Sequence, residues 1–318
     1  MTGEEQDFFE VTVRQAKLEA DGVISLELVP DSGLLPAYEP GSHLDIELPS
    51  GVVRQYSLCS PPADLSFYRI AVLREPEGRG GSDEVHETAL VGKRVRIRGP
   101  RNHFPLEPSP RYLFIAGGIG ITPMLAMVIR AEREKSPYEL VYVGRHLESM
   151  AFRDKLATGP NVKVVVSSAT GRPDLASLVD GAGDDTLIYA CGPISMLKEL
   201  EDVCEKAGRS AQLRLEKFAS DGEALAEAST GDSFEVELRK SGTVLTVGSD
   251  QGLLEVIEGH CDIMTSCEDG FCGTCETTVL EGVPEHHDTI LNERERASGK
   301  TMMVCVGRSK SPRLVLDL

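Results

Sequence analysis

Cys267-Glu-Asp-Gly-Phe-Cys272-Gly-Thr-Cys275, followed at a distance by Cys305, decides what the C-terminal part of this chain must be. The spacing is C-x4-C-x2-C with a remote fourth cysteine, the plant-type pattern in which four thiolates hold a [2Fe–2S] cluster. Structural zinc would show two close cysteine or histidine pairs, and here a single x2 pair stands alone. A disulfide framework does not suit a long chain of cytosolic character. Gly270 and Gly273 lie among the ligands, where a bent backbone can aim amide N–H groups at sulfur. Cys59, Cys191, Cys204 and Cys261 fall outside the spacing, and Cys204 and Cys261 are expected to be buried, inert thiols. Such a cluster carries one electron at a time, so the remaining sequence should say what loads it.

The chain has 318 residues, 41% of them hydrophobic, enough for two or three domains each with a core. Its N-terminus is acidic and lacks a signal-peptide pattern, and no apolar run is long enough to span a bilayer. A cytoplasmic protein is expected, with no membrane partner. The net charge of −18 argues against nucleic acid and anionic membranes. From Asp232 onward 16 acidic and 8 basic residues leave −8, which reads either as an acidic docking face or as a solvated surface.

Three patterns follow one another. Through about residue 106, short runs alternate apolar and polar: Phe9–Val13, Val23–Leu28, His43–Leu48, Tyr68–Val72 and Arg94–Arg98. Gly and Pro clusters separate them, which predicts an antiparallel β-barrel. From 111 to about 218, apolar strands (Tyr112–Ala116, Leu140–Val143, Val162–Val166, Leu187–Ala190) alternate with helical stretches, which predicts an α/β parallel sheet. Residues 219–231 are small, polar and acidic and read as a linker. Beyond them come a hairpin turning at Ser241-Gly242, a helix near Gln251–Glu258, the cysteine loop and terminal strands. The expected domains are 1–108, 109–218 and 232–318.

Arg54-Gln-Tyr56-Ser57-Leu58 follows a barrel strand. An arginine fork suits phosphate, an aromatic two residues on can pack on a planar ring, and a serine hydroxyl can reach a ring nitrogen. Gly78-Arg79-Gly80-Gly81-Ser82 precedes a helix and offers backbone amides to a phosphate. Alone, Arg and Tyr on a strand are ordinary surface and core; with the glycine cradle they point to a flavin monophosphate. Ala116-Gly117-Gly118-Ile-Gly120-Ile-Thr122-Pro123 sits between a strand and a helix, with Thr122 placed as N-cap and Pro123 as first helical residue. Its glycines let a pyrophosphate approach, although Pro123 rules out the G-x-G-x-x-G fingerprint. Tyr189-Ala-Cys191-Gly192-Pro193 ends a later strand in the same way.

With these motifs in this order, the chain resembles the ferredoxin–NADP⁺ reductase superfamily, and within it the phthalate dioxygenase reductase family, over nearly its whole length. The resemblance implies a flavin barrel, a nicotinamide domain and a β-grasp ferredoxin domain. It implies FMN held by Arg54, Tyr56, Ser57, Gly80, Gly81 and Ser82, with strand backbone near Ala71 to Leu73 at the ring edge. Gly118 and Thr122 would line the nicotinamide site, with Cys191, Gly192 and Pro193 opposite and Arg145 at the ribose or phosphates. Phe218 would cover the flavin until nicotinamide displaces it. Ser57, Thr122, Cys191 and Phe218 would stand closest to hydride transfer, as positioning groups. Members using NADPH tend to carry Ser-Arg after the third strand of this domain; here Ser167-Ser168-Ala-Thr favours NADH. Asp269 and Phe271 stand where relatives often have smaller residues.

The expected activity is electron transfer from NADH through FMN to the cluster, in the reductase component of a two-component oxygenase. NADH delivers two electrons together and the cluster takes one, so a flavin between them changes the currency. No C-x-H pair marks a Rieske centre, and His286-His287-Asp288 reads as a polar loop rather than a metal site. Oxygen and substrate (an aromatic acid, a methoxy-aromatic or a quaternary amine) would belong to a separate Rieske-type oxygenase, and the chain to a monomer. The alternatives are a general NAD(P)H diaphorase and a redox-sensing flavin/iron–sulfur binding protein.

Overall fold

The computed structural model describes residues 8–76, 80–156, 159–218, 228–265 and 267–318. The chain divides into two compact units, Met1–Lys217 and Phe218–Leu318.

The first unit begins with β1 (Phe9–Ala20), β2 (Val23–Val29), β3 (Ser42–Glu47), β4 (Val53–Ser57), β5 (Tyr68–Leu73), helix α1 (Gly81–Glu87) and β6 (Arg94–Asn102). The six strands form one antiparallel sheet in the order β4-β3-β6-β1-β2-β5. The alternation seen in sequence sorts the faces: Leu44, Ile46, Ile70 and Ile97 are fully buried in the core, worth about 1.5–3 kcal/mol each. The sheet is a barrel left open between its edges β4 and β5. The Arg54-Gln-Tyr56-Ser57 motif, expected after a strand, is itself edge strand β4. Between them Leu44 and Ile46 flank Asp45, which points the other way and is also fully buried. It accepts from Arg98 Nη2 (2.6 Å) and Arg101 Nη2 (2.7 Å), fastening β3 to β6.

The second half of this unit contains β7 (Arg111–Gly117), α2 (Ile121–Glu134), β8 (Tyr138–Gly144), α3 (Arg153–Leu156), β9 (Val162–Val166), α4 (Ser167–Thr170), α5 (Leu175–Gly181), β10 (Thr186–Cys191), α6 (Ile194–Lys206) and β11 (Leu213–Glu216). All five strands are parallel, in the order β11-β10-β7-β8-β9. Helices on both faces explain why the strands read as apolar runs rather than alternations. Leu113, Ile115, Val141 and Ile188 share one buried cluster with Val179, Leu197 and Leu200 of α5 and α6. Tyr112 stacks on Phe114, and Tyr189 meets both rings at a steep angle. Tyr189 then donates to Pro105 O (2.9 Å) and accepts from Glu107 N (2.8 Å), tying the sheet to the segment that leaves the barrel.

The second unit contains β12 (Phe234–Leu238), β13 (Thr243–Val247), α7 (Leu253–Ile257), β14 (Glu276–Glu281), β15 (Pro284–Glu285), α8 (Glu293–Ser298), β16 (Thr301–Met303), β17 (Arg308–Ser309) and β18 (Arg313–Leu316). Its main sheet runs β13-β12-β18-β14-β16, with β12 and β18 parallel and the other pairs antiparallel. The hairpin turns at Ser241-Gly242, where Gly242 adopts φ 70°. Helix α8 starts at a capping box, Asn292 and Glu295 each satisfying the other's backbone amide. Most of the stretch read as a linker, 219–227, lies outside the described residues; its end does not dangle, because Ala228 is buried in the core of this unit. Among the described residues no helix is long and apolar enough to cross a membrane.

Candidate flavin, nicotinamide and cluster sites

The open seam of the barrel carries the first motif. Cys59 N–H donates to Arg69 O (2.8 Å) and Arg69 N–H to Ser60 Oγ (3.1 Å), closing one end of the seam. Alternate residues of a strand turn their backbone groups the same way, so Ala71 and Leu73 present theirs toward the same opening. Arg54 and Tyr56 stand on the opposite edge, β4. Burial pushes the Tyr56 hydroxyl up to about 12, leaving the ring as a neutral platform. Gly81 lies against Arg54: a Cβ there would stand 2.6 Å from Arg54 Nε. Gly80 precedes α1 in the left-handed region at φ 78°. Ser82 is partly committed elsewhere, its Oγ accepting from Glu75 N (3.0 Å). Gly78 and Arg79 lie outside the described residues. An arginine fork, a flat aromatic face and the backbone of an edge strand on one seam fit a flavin monophosphate.

The parallel sheet places the second pair of motifs. The chain leaves β7 toward β8 and β9, then returns to β10 and β11 on the other side. The crevice between the ends of β7 and β10 is therefore a topological switch point, where open α/β sheets bind nucleotides. The two loops there touch through glycine. A Cβ on Gly120 would lie 2.2 Å from Cys191 O, and one on Gly192 would lie 2.8 Å from Gly117 Cα. Gly117 meets Pro193 Cδ in the same way, at 2.6 Å. Gly118, at φ 55°, has open space above it. Thr122 was expected as the N-cap, but the 3₁₀ turn Gly118–Gly120 runs straight into α2 and the cap is Gly120. Thr122 is instead the second helical residue, buried, and donates to Ile119 O (3.0 Å), which braces the glycine turn. Arg145 is exposed beyond β8, and its carbonyl accepts from Ser168 N (3.2 Å). The loop of Arg145 and the turn at Ser167-Ser168 therefore lie side by side.

Barrel and parallel sheet meet at Ser57. Its hydroxyl faces the carboxyl of Glu216, the last residue of β11, which pairs in register with Cys191. Burial pushes the Glu216 carboxyl up to about 8, with Ser57 pulling the other way. The residue as a whole is half-exposed, but Oε2 is enclosed and has no hydrogen-bond partner among the described residues. Cys191 is fully buried, and burial, reinforced by Glu216, pushes its thiol well above the usual range. A thiol so placed is a packing group, not a nucleophile.

Cys267, Cys272, Cys275 and Cys305 of the second unit are all buried. Cys267 meets Cys272, Cys305 meets Cys275, and Cys267 and Cys305 meet each other. The four thiols thus form one chain of contacts, Cys272–Cys267–Cys305–Cys275, and gather at one place, as the four-thiolate set of a [2Fe–2S] cluster requires. Backbone N–H groups of Asp269 (3.4 Å) and Thr274 (3.5 Å) point at the sulfurs of Cys267 and Cys272. The Cys267 thiol is pushed down by its neighbours Cys272 and Cys305 and by the backbone amides of Asp269 and Phe271. Facing it pushes the thiols of Cys272 and Cys305 up. Gly270 is required by space as well as by its φ of 74°: a Cβ would lie 2.5 Å from Val306 Cγ2.

His286-His287-Asp288, expected as a polar loop, is largely enclosed. Asp288 is buried and caps the N–H groups of Ile290 (3.0 Å) and Leu291 (2.8 Å). Burial lowers the His286 pKa. Cys204 is buried as expected, whereas Cys261 is only half-buried.

A family model of the 2Fe-2S iron-sulfur cluster binding domain matches residues 236–310. The chain is 41% identical to the phenoxybenzoate dioxygenase subunit beta of Ectopseudomonas oleovorans, over 94% of each chain. It is 40% identical to the vanillate O-demethylase oxidoreductase of Pseudomonas sp. (strain HR199 / DSM 7063), over 97% of this chain and 99% of that one. Identity to the carnitine monooxygenase reductase subunit of Escherichia coli (strain K12) is 39%, over 98% of each. Among solved structures it matches phthalate dioxygenase reductase at TM-score 0.72 and 33% identity, over 98% of each chain.

The chain belongs to the phthalate dioxygenase reductase family.

It is thus an oxidoreductase with flavin and iron–sulfur domains, of the kind that serves oxygenases as their reductase component. The same fold also matches an intact type IV self-sufficient cytochrome P450 monooxygenase, at TM-score 0.87 and 40% identity. This reductase spans 98% of its own length there but 41% of that longer chain.

Sequence reading of this reductase missed Glu216, because it missed β11. Leu213-Arg-Leu-Glu216 is four residues long and half-buried, too short for a periodicity to register. The usable signal was its position: an apolar-polar alternation directly after helix α6, where a parallel sheet takes its next strand. Phe218 falls at the start of the second unit and is half-buried.

Proposed function

We propose that this reductase takes hydride from NADH onto FMN and passes the electrons singly, through a [2Fe–2S] cluster, to a separate terminal oxygenase of Rieske type. The observation that carries the reading is full-length likeness to three reductase subunits of oxygenases; the gathering of four buried thiols supports it. The domains are 1–108 for FMN, 109–218 for the nicotinamide nucleotide and 232–318 for the cluster, joined by 219–231.

FMN, when bound, supplies the conversion between a two-electron donor and a one-electron acceptor. The protein's own residues bind and orient. Arg54, with the turn at Gly80, Gly81 and Ser82, holds the phosphate. Tyr56 covers one ring face, and the backbone of Ala71 and Leu73 meets the ring edge. Gly118 and Thr122 shape one wall of the nicotinamide crevice, and Cys191, Gly192 and Pro193 the other, with Arg145 beyond. Phe218 is the aromatic that gives way to nicotinamide. Ser57 and Glu216 hold a proton beside the hydride site: below about pH 8 the Glu216 carboxyl is neutral, so no fixed negative charge opposes a hydride arriving nearby. Each NADH gives up two electrons and leaves as NAD⁺, and Cys267, Cys272, Cys275 and Cys305 hold the group that carries one electron at a time.

The absence of the Ser-Arg pair after β9 favours NADH over NADPH. The substrate of the partner is an aromatic acid, a methoxy-aromatic or a quaternary amine, the classes suggested by the relatives. The protein works in the cytoplasm as a monomer, all its redox sites lying on one chain. The charge of −18 disfavours nucleic acid and anionic membranes.

Anaerobic titration with NADH, followed by visible absorption and EPR, tests this. Flavin bleaching with growth of a rhombic [2Fe–2S] signal is expected. Flavin reduction without a cluster signal overturns the cysteine assignment or the transfer route. A haem monooxygenase is a second acceptor class, favoured by the match to the self-sufficient P450 chain. Reduction of an added P450 in place of a Rieske protein would select it.

A further inference from the structure

Arg308 follows Cys305 by three residues and is 1% exposed, the largest fully buried side chain among the described residues. Four backbone carbonyls hold its guanidinium. Nη1 donates to Ala228 O (2.8 Å) and Gln251 O (2.6 Å), and Nη2 to Asp232 O and Gly248 O (each 3.0 Å). Its Cζ lies 5.5 Å from the centre of the Phe234 ring. Gly231 leaves the space, since a Cβ there would come within 2.8 Å of Nε. Asp232 contributes only its carbonyl, and among the described residues no carboxylate pairs with the guanidinium. This is a permanent charge, removed from water and not neutralised.

Capping four carbonyls does not by itself call for a full charge, because neutral amides do that throughout protein interiors. An interior cation is costly unless negative charge lies within reach. The same apolar core supplies it. Ala228 and Phe234, which touch the guanidinium, pack in one buried cluster with Cys275, Cys305 and Val306. Three peptide steps keep the Cα atoms of Cys305 and Arg308 within about 11 Å. Between them Val306 packs against Gly270 of the ligand loop. Four thiolates and two bridging sulfides outweigh the charge on two ferric ions, and one-electron reduction adds a further negative charge. In a medium less polarisable than water, a fixed cation at this range favours that added charge.

We propose that Arg308 is a positioning residue for electron transfer: its interior charge stabilises the reduced state of the cluster on Cys267, Cys272, Cys275 and Cys305, raising the potential at which it accepts an electron. The proposal rests on the assignment of those cysteines. Its electron comes from the reduced flavin. In a unit whose surface is acidic, this charge offsets the many carboxylates that oppose reduction.

The test is potentiometric titration of the holoprotein, with EPR and iron and sulfide analysis, for the wild type, Arg308→Lys and Arg308→Gln. Arg308→Gln is expected to lower the cluster midpoint and shift the flavin–cluster electron equilibrium several-fold toward flavin, about 59 mV being one tenfold step for a one-electron couple. Arg308→Lys keeps the charge and should stay near wild type. A loaded Arg308→Gln protein with the wild-type midpoint overturns the proposal, as does an equal fall in both variants, which would report lost packing. If neither variant loads iron, Gln251→Glu decides: it keeps Arg308 and puts a carboxylate on the residue whose carbonyl holds Nη1. A lower midpoint then supports the proposal and an unchanged one ends it. Wild-type protein without iron and sulfide would instead sink the cysteine assignment.

Discussion

Ser57, the last residue of an edge strand of the barrel, and Glu216, the last residue of an edge strand of the parallel sheet, face each other side chain to side chain. Two chain segments far apart in sequence thus build one polar contact beside a buried thiol, Cys191. Its chemistry follows from enclosure: a carboxyl with one oxygen unpartnered keeps its proton to about pH 8.

That contact sets a pH dependence. The Glu216 carboxyl titrates near 4.5 when unfolded and near 8 when folded, so between those values the folded chain binds more protons. Stability should therefore fall as pH rises through this window and level off above it. Glu216→Gln removes the titration, so its thermal midpoint should gain on the wild type from pH 5 to 8. Parallel curves for the two proteins would refute the buried-acid assignment.

Gly120→Ala tests the switch-point crevice. The added Cβ would lie 2.2 Å from a backbone oxygen, Cys191 O, so the two loops must part. The variant should retain flavin and accept electrons from dithionite, while NADH reduces its flavin at least about tenfold more slowly, one tenfold step being about 1.4 kcal/mol. Stopped-flow absorbance would show this, and a wild-type rate would mean that the loops tolerate separation.

Arg54→Ala should weaken FMN binding about 10- to 100-fold, from the roughly 1.5–3 kcal/mol of a charge-assisted hydrogen bond. Flavin fluorescence during dilution of the holoprotein measures it. Unchanged affinity would place the phosphate elsewhere.

Asp45→Asn should destabilise the first unit by about 3–5 kcal/mol, the cost of leaving buried charge uncompensated, because Arg98 and Arg101 both depend on that carboxylate. Denaturant unfolding reads the change; a loss below about 1 kcal/mol, the range of an exposed pair, would show that water replaces the partner.

Cys191 should resist alkylation in the native protein at pH 8, since burial holds its thiol well above the usual range. Mass spectrometry after iodoacetamide checks this, with Cys261, the half-buried thiol, as the internal comparison.

Much of this was legible before any coordinates. Strand Val162–Val166 was placed to the residue, since a short β-branched run in a parallel sheet has little else to become. The 2Fe-2S domain was legible because cluster geometry demands a fixed local spacing of cysteines. Short elements at sheet edges were harder: the β4 motif was expected to follow a strand rather than to be one, and β11 was not seen. Edge strands are half-exposed, so their apolar periodicity is weak. Thr122 misled for another reason: a 3₁₀ turn consumed the residues before the helix and moved the cap to Gly120.

By itself the sequence determined the order of barrel, parallel sheet and ferredoxin fold, the spacing of the cysteines and the glycine turns, because each depends on neighbours in the chain and on the few conformations open to glycine, proline and cysteine. Only the tertiary structure decided that Glu216 meets Ser57 and that Arg308 sits unneutralised in the core behind Cys305. Those depend on which strands end side by side and on what is shut away from water. Burial of a charged group is a property of the packed whole, and no local pattern records it.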